Sequence, residues 1–322
     1  MKIKSSKIAG TPLLMFLASV LRISVAKTAE EDIKQANYKE ANQVTTKPST
    51  GPSFSVDEKT NSGIFCRKTF SSSSGEPLVL VMGYGASLKI WPISFIEKLA
   101  EKYVVITYDN RGTGLSIVPQ DPEDYTIKKM SDDLDAVVQR FDVNRFYLLG
   151  YSMGGCIALQ YAYDHRAKVR SLFLLSSTAG GALYVRPKPE ISAALANPQG
   201  ETLWDMYMWT FKLMYSPAAL KRYEPALKAI YENSKDHPTT PIAIRGHEHA
   251  FKNFDGTSYL AGLSVPTTVL AGADDRLIPA QNSENLAKAT PHARLVLLHG
   301  CEHGAHVQEE AKVIHEIEKT CR

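Results

Sequence analysis

Phe146-Tyr147-Leu148-Leu149-Gly150-Tyr151-Ser152-Met153-Gly154-Gly155-Cys156 passes from an unbroken apolar segment, through a turn with glycines on both sides of a serine, into a second apolar segment. The first segment reads as a strand covered on both faces, and the second as a buried helix. In so tight a strand-to-helix turn the serine is held in strained backbone. Side chains two positions away would collide, and Gly150 and Gly154 remove those collisions. The serine hydroxyl then stands above the sheet, and the helix N-terminus behind it favours negative charge developing on a substrate oxygen. Gly155 lets the helix lie close to the sheet.

Outward from this turn the same pattern repeats. Continuous apolar runs at 78–82, 103–107, 172–175, 267–270 and 295–298 match the strand at 146–149. Helical stretches fall between them, at 95–101, 131–141, 153–163, 283–289 and 307–319. Strands alternating with helices of this length predict an α/β fold, a mostly parallel sheet wrapped on both faces. One interval breaks the rhythm. From 179 to 260 no apolar strand occurs, the composition turns helical, and Pro187, Pro189, Pro198, Pro217, Pro225, Pro238 and Pro241 punctuate it. Within it Trp204, Tyr207, Met208, Phe211, Met214 and Tyr215 share one helix face, while Met206, Trp209 and Leu213 populate a second. A helix apolar nearly all round is covered on more than one side. Either both faces are the insertion's own packing, or one of them roofs an apolar pocket.

The 322 residues are 44% hydrophobic and 22% charged, which excludes collagen-like, coiled-coil and wholly disordered classes. Lys2, Lys4, Lys7 and Arg22 account for more than the whole formal charge of +3, so the rest of the chain is slightly acidic. A body with no basic stripe argues against a nucleic-acid partner. The first 26 residues read as a secretory signal: a lysine-bearing start, an apolar run over 8–21 closed by Arg22, and Ser24-Val25-Ala26 at the cleavage position. That run is too short for a membrane span, which needs roughly 20 apolar residues. Residues 27–60 are polar and proline-bearing and read as a disordered linker. Cys66, Cys156, Cys301 and Cys321 match no zinc or CxxC spacing. Export would permit a Cys301–Cys321 disulfide, and four free thiols are the alternative.

The nucleophile turn and its setting resemble the α/β-hydrolase superfamily, from about Gly63 to the C-terminus. The resemblance implies a core over 61–178 and 261–322 with a helical cap insertion over 179–260, and a serine, aspartate, histidine triad in that chain order. Gly272-Ala273-Asp274-Asp275-Arg276-Leu277-Ile278-Pro279 is similar to the family's acid loop and selects Asp275 over Asp274. Gly300-Cys301-Glu302-His303 is similar to the family's histidine turn and selects His303. A serine hydroxyl is a weak nucleophile, so an imidazole must take its proton and return it to the leaving group, and a carboxylate must fix that imidazole's tautomer. His303 and Asp275 fill these roles on Ser152. The oxyanion donors implied are the backbone N–H of Met153 and, from the loop Gly83-Tyr84-Gly85-Ala86, that of Tyr84. In family members this loop often begins His-Gly, and Met82 stands in place of the histidine here. Tyr108-Asp109-Asn110-Arg111-Gly112-Thr113-Gly114-Leu115-Ser116 resembles another loop of the family and reads as structural.

The expected activity is that of an exported serine hydrolase, periplasmic or secreted, cleaving a small-molecule carboxylic ester with an apolar acyl or alcohol group. No cofactor and no metal is expected, nor a stable membrane span after signal cleavage, and the sequence leaves the oligomeric state open. The alternatives are a C–N hydrolase such as a proline-iminopeptidase-like aminopeptidase, a cofactor-free haloperoxidase-like enzyme, and a non-catalytic ligand-binding member of the fold. His247-Glu248-His249 is a weak metal candidate, because histidines at i and i+2 do not share a helix face. His299 and His306 read as structural or surface residues.

Overall fold

The computed structural model describes residues 45–46, 53–72, 74–195 and 199–321. The signal segment expected over 1–26 lies outside them, as does most of the stretch read as linker.

Nine strands among the described residues form one sheet. In chain order they are β1 (Thr45–Thr46), β2 (Phe54–Lys59), β3 (Phe65–Phe70), β4 (Glu76–Val81), β5 (Tyr103–Tyr108), β6 (Phe146–Tyr151), β7 (Val169–Leu175), β8 (Thr267–Gly272) and β9 (Arg294–Leu298). Their order across the sheet is β1-β2-β3-β5-β4-β6-β7-β8-β9. From β5 to β9 every neighbour is parallel, and β1, β2 and β3 join antiparallel. The continuous apolar runs are explained by their two buried faces. Val79 and Val81 of β4 and Phe146 and Leu148 of β6 enter one core, while Leu78, Leu80, Tyr147, Leu149 and Tyr151 enter the other.

Helices α1 (Ile93–Ala100), α2 (Ile127–Arg140) and α3 (Met153–Asp164) cover the two faces: α1 supplies Phe95 and Leu99 to one, α2 and α3 supply Leu134 and Ile157 to the other. Between β7 and β8 lie α4 (Pro189–Leu195), α5 (Leu203–Met214), α6 (Pro217–Ser234), α7 (Pro241–Lys252) and α8 (Thr257–Leu260). The caps of this insertion are local chemistry. A reciprocal Thr202–Asp205 box opens α5, and Ser216 and Thr240 hydroxyls accept from the third N–H of α6 and α7, each with proline at its first position. After β8 come α9 (Gln281–Ala289), α10 (Ala305–Gln308) and α11 (Glu310–Thr320).

Two expectations change, and two alternatives left open by the sequence are decided. Residues 54–59, inside the stretch read as linker, form β2, paired in register with β3 from Phe54↔Phe70 to Lys59↔Phe65. Their polar residues line half-exposed faces of the sheet's antiparallel end, which the composition cannot tell from a tail. Pro225, read as punctuation, sits inside α6. The first aromatic face of α5 packs within the cap, where Tyr207, Phe211 and Tyr215 stack edge to face, and Tyr231 of α6 takes Trp204 and Tyr207. All four cysteines are free. The Cys301 thiol is buried and donates to Gln308 Oε1 at 3.4 Å, so it is not bonded to Cys321.

Candidate active site

The chain leaves β4 for β5 on one side and β6 on the other, so the order reverses at β4. In such sheets a crevice opens beyond the carboxyl ends of the strands at this point. The loops after β4 and β6 meet there.

Ser152 joins β6 to α3 with φ 55° and ψ −123°, a left-handed φ in a residue that is not glycine. Such strain persists only where the surroundings over-determine it. Here its N–H donates to Leu175 O at 2.9 Å, and its carbonyl accepts from Ser177 Oγ at 2.7 Å. The flanking glycines are steric requirements. A Cβ on Gly150 would lie 2.3 Å from Gly154 O, and one on Gly154 would lie 2.2 Å from Val81 O.

Asp275 lies three residues beyond β8 and is buried. Its Oδ1 accepts from the N–H groups of Leu277 and Ile278, both at 2.9 Å, which aims Oδ2 at His303. His303 Nδ1 donates to that oxygen at 2.7 Å. Asp274 is exposed, so the choice between the two aspartates falls to Asp275 on geometry as well as on motif. His303 itself is buried after β9, its carbonyl accepting from Ser176 Oγ at 3.2 Å and its ring packed on Tyr151 at 5.1 Å between centroids. Ser152 and His303 are therefore tied to one dipeptide: the Leu175 carbonyl holds the Ser152 N–H and the Ser176 hydroxyl holds the His303 carbonyl. Among the described residues no hydrogen bond joins Ser152 Oγ to the imidazole.

The Tyr84 and Met153 N–H groups, read as oxyanion donors, have no protein acceptor among the described residues. Met153 opens α3, where the first-turn N–H groups lack intrahelical partners. The loop Asp109 to Ser116 is structural, as its sequence implies. Asp109 Oδ1 accepts from Leu88 N–H at 2.7 Å and Oδ2 from Leu115 N–H at 2.9 Å, and burial raises its carboxyl to about 6. Arg111 forks onto Asp133 at 2.7 and 2.9 Å.

The remaining histidines separate by burial. His299 is exposed. His306 is enclosed by Trp91 and Tyr151, at 5.2 and 4.5 Å between ring centroids, and burial together with the neighbouring His303 pushes it down to about 3. His247 is fully buried, its Nδ1 accepting from Gly85 N–H at 3.0 Å and its Nε2 donating to Arg111 O at 2.8 Å. Desolvation lowers it to about 4. Glu248 pairs with Lys252, and among the described residues no three His, Cys, Asp or Glu side chains are grouped to hold a metal ion.

Two residues beside the acid and the histidine have roles the sequence reading did not assign. Arg276 Nη2 donates to Tyr215 O at 2.9 Å and Lys212 O at 3.2 Å, capping the end of α5. Glu302 Oε2 accepts from the Ser216 N–H at 2.6 Å. The α5–α6 corner of the cap is thus fastened to both loops. Only their adjacency to Asp275 and His303 singles them out in the sequence.

Residues 76–310 match the sequence profile of the alpha/beta hydrolase fold. The chain belongs to the α/β-hydrolase family. A relative from Pseudomonas savastanoi pv. phaseolicola that carries the name of a carbamate hydrolase, RutD, is 32% identical over 236 residues, 71% of this chain and 86% of its own. A poly(3-hydroxyalkanoate) depolymerase of Ectopseudomonas oleovorans is 29% identical over 222 residues, 69% of this chain and 76% of its own. Among solved structures, the enol-lactonase of Burkholderia xenovorans superposes with a TM-score of 0.69 at 20% identity, covering 82% of this chain and 99% of that one. The α/β-hydrolase is a hydrolase by family, and no helix among its described residues is long and apolar enough to cross a membrane.

Proposed function

We propose that this α/β-hydrolase is a serine hydrolase that cleaves carboxylic esters with a substantial apolar part, through an acyl-enzyme. The observation that carries the reading is the 2.7 Å bond from His303 Nδ1 to a carboxylate whose other oxygen is held by two backbone amides. With Nδ1 committed as donor, Nε2 is the basic nitrogen. It takes the Ser152 proton as Oγ attacks the ester carbonyl, then gives that proton to the departing alcohol. The resulting imidazolium is stabilised by Asp275. Tyr84 and Met153 N–H groups donate to the tetrahedral oxyanion, and donors of this kind are worth about 2.7–4 kcal/mol each. Water, deprotonated by His303, then attacks the acyl-Ser152 carbonyl; the C–Oγ bond breaks, His303 returns the proton to Ser152 Oγ and the acid is released. The depolymerase and enol-lactonase names among its relatives and neighbours favour an ester or lactone.

A p-nitrophenyl ester panel of increasing acyl length tests this. Wild type is expected to turn over and Ser152→Ala to lose the activity. Undiminished turnover in the variant removes Ser152 from its role. The carbamate-hydrolase name of the first relative favours a second reading, attack on a carbonyl bearing nitrogen. Faster hydrolysis of carbamates or amino-acid naphthylamides than of esters would put that reading first. The N-terminal pattern supports export to the periplasm or medium. A mature N-terminus at Lys27 is the expected result, and a secreted or periplasmic fraction that lacks the protein contradicts it.

A further inference from the structure

We propose that His247, on cap helix α7, and Asn110, in the loop after β5, are positioning residues that fix the two peptide planes flanking the Tyr84 N–H. The inference rests on the serine-hydrolase reading, in which that N–H is an oxyanion donor.

The loop after β4 has little rigidity of its own, because it carries glycine at 83 and 85. It lies hard against the nucleophile: a Cβ on Gly83 would stand 3.0 Å from Ser152 Cβ. On the near side, Asn110 Nδ2 donates to Met82 O at 2.8 Å and sets the Met82–Gly83 peptide. On the far side, His247 Nδ1 accepts from Gly85 N–H at 3.0 Å and sets the Tyr84–Gly85 peptide. Between them lies the Gly83–Tyr84 peptide, whose N–H is left without a protein acceptor. The cap grips further: Thr239 Oγ1 donates to Gly85 O at 2.8 Å, and Tyr84 Oη donates to Ile244 O at 3.2 Å. The His247 tautomer follows from its second bond. Nε2–H donates to Arg111 O at 2.8 Å, which leaves Nδ1 bare to accept. Arg111 is itself anchored on buried Asp133, so the imidazole spans two fixed points. A preorganised donor gains its catalytic effect by needing no reorientation when charge develops, and a peptide free to flip forfeits that effect.

Two substitutions separate the bonds of His247. Asn carries its oxygen where Nδ1 stands and keeps the Gly85 bond, whereas Gln carries its amide where Nε2 stands and keeps only the Arg111 bond. Amide hydrogen exchange of the peptide covering 83–87 reads the tether without reference to catalysis. H247Q is expected to exchange at least about tenfold faster there, and H247N to stay near wild type. On the ester that wild type turns over fastest, kcat of H247Q is expected to fall about 10- to 100-fold with KM changed less than about twofold, and H247N to rescue most of the loss. Equal exchange in the two variants, or faster exchange in H247Q at unchanged kcat, overturns the proposal. Should either variant fail to fold, T239V against T239S repeats the comparison at the Gly85 carbonyl, with the same expected split. A wild type inert toward esters would strike the serine-hydrolase reading alone and leave the exchange comparison to decide the tether.

Discussion

The rim of the sheet and the cap reach the same site by different physics. On the rim, Ser152, Asp275 and His303 each stand within five residues of a strand end; backbone bonds from the neighbouring strand or turn fix the first two, and the Ser176 hydroxyl and the Asp275 carboxylate fix His303. Between the cap and those loops, side chains bond backbone far away in sequence: cap His247 holds Gly85 across 162 positions, and loop Glu302 holds cap Ser216 across 86. The rim places the three side chains proposed to react. The long-range bonds join cap and loops, and none of them involves those three side chains.

Substitutions divide along this line. Asp275→Asn breaks the rim: it frees the imidazole to take the wrong tautomer and is expected to lower kcat by about 10⁴-fold at unchanged melting temperature. A loss of tenfold or less would show that the bond to His303 is not what fixes the base. Glu302→Ala breaks the fastening of the cap. It removes a charged acceptor from the Ser216 N–H and is expected to cost about 1.5–3 kcal/mol in denaturant unfolding. An unchanged unfolding midpoint would mean that the cap corner is held without it.

Acid sharpens the comparison. His306, behind the rim, and His247, in the cap, both titrate lower in the fold, at about 3 and about 4, than the ordinary 6.5. Their stabilisation is complete above pH 6.5 and is lost as pH falls toward those values. Asp109, raised to about 6 from 3.8, works the other way: its contribution is full below 3.8 and is lost as pH rises to 6. Two groups outweigh one, so thermal stability is expected to fall between pH 6.5 and 4, and His306→Phe to flatten the slope. An equal slope in the variant would contradict this. The smallest effect is expected at Asp274→Asn, one residue from the acid and exposed: kcat within about twofold and stability within about 0.5 kcal/mol. Any larger loss in ester turnover would blur the distinction between the two aspartates.

What could be read in the sequence follows the same division. The strands β4 to β8 are legible because burial on both faces writes continuous apolar runs, β9 because its run stays apolar though half-buried at the sheet's end, and the site loops follow because glycine and strand ends constrain them. The antiparallel strands β2 and β3 are not, since Ser55, Asp57, Arg67 and Lys68 serve half-exposed faces and break the apolar pattern. Pro225 misleads because tertiary packing holds α6 together through the missing backbone bond. The roles of Arg276, Glu302 and His247 depend on carbonyls and amides supplied by distant segments, and a side chain's type carries no record of which distant amide it meets. In sequence His247 offers only a poor metal motif, while in space it is a neutral acceptor.

The most direct measurement is labelling with a fluorophosphonate, followed by mass mapping of the adduct. A single phosphonyl group on Ser152, formed by wild type and abolished or slowed at least about 10³-fold by His303→Ala, is the result this account predicts. An adduct on another residue, or labelling of Ser152 at the same rate without the imidazole, would contradict it.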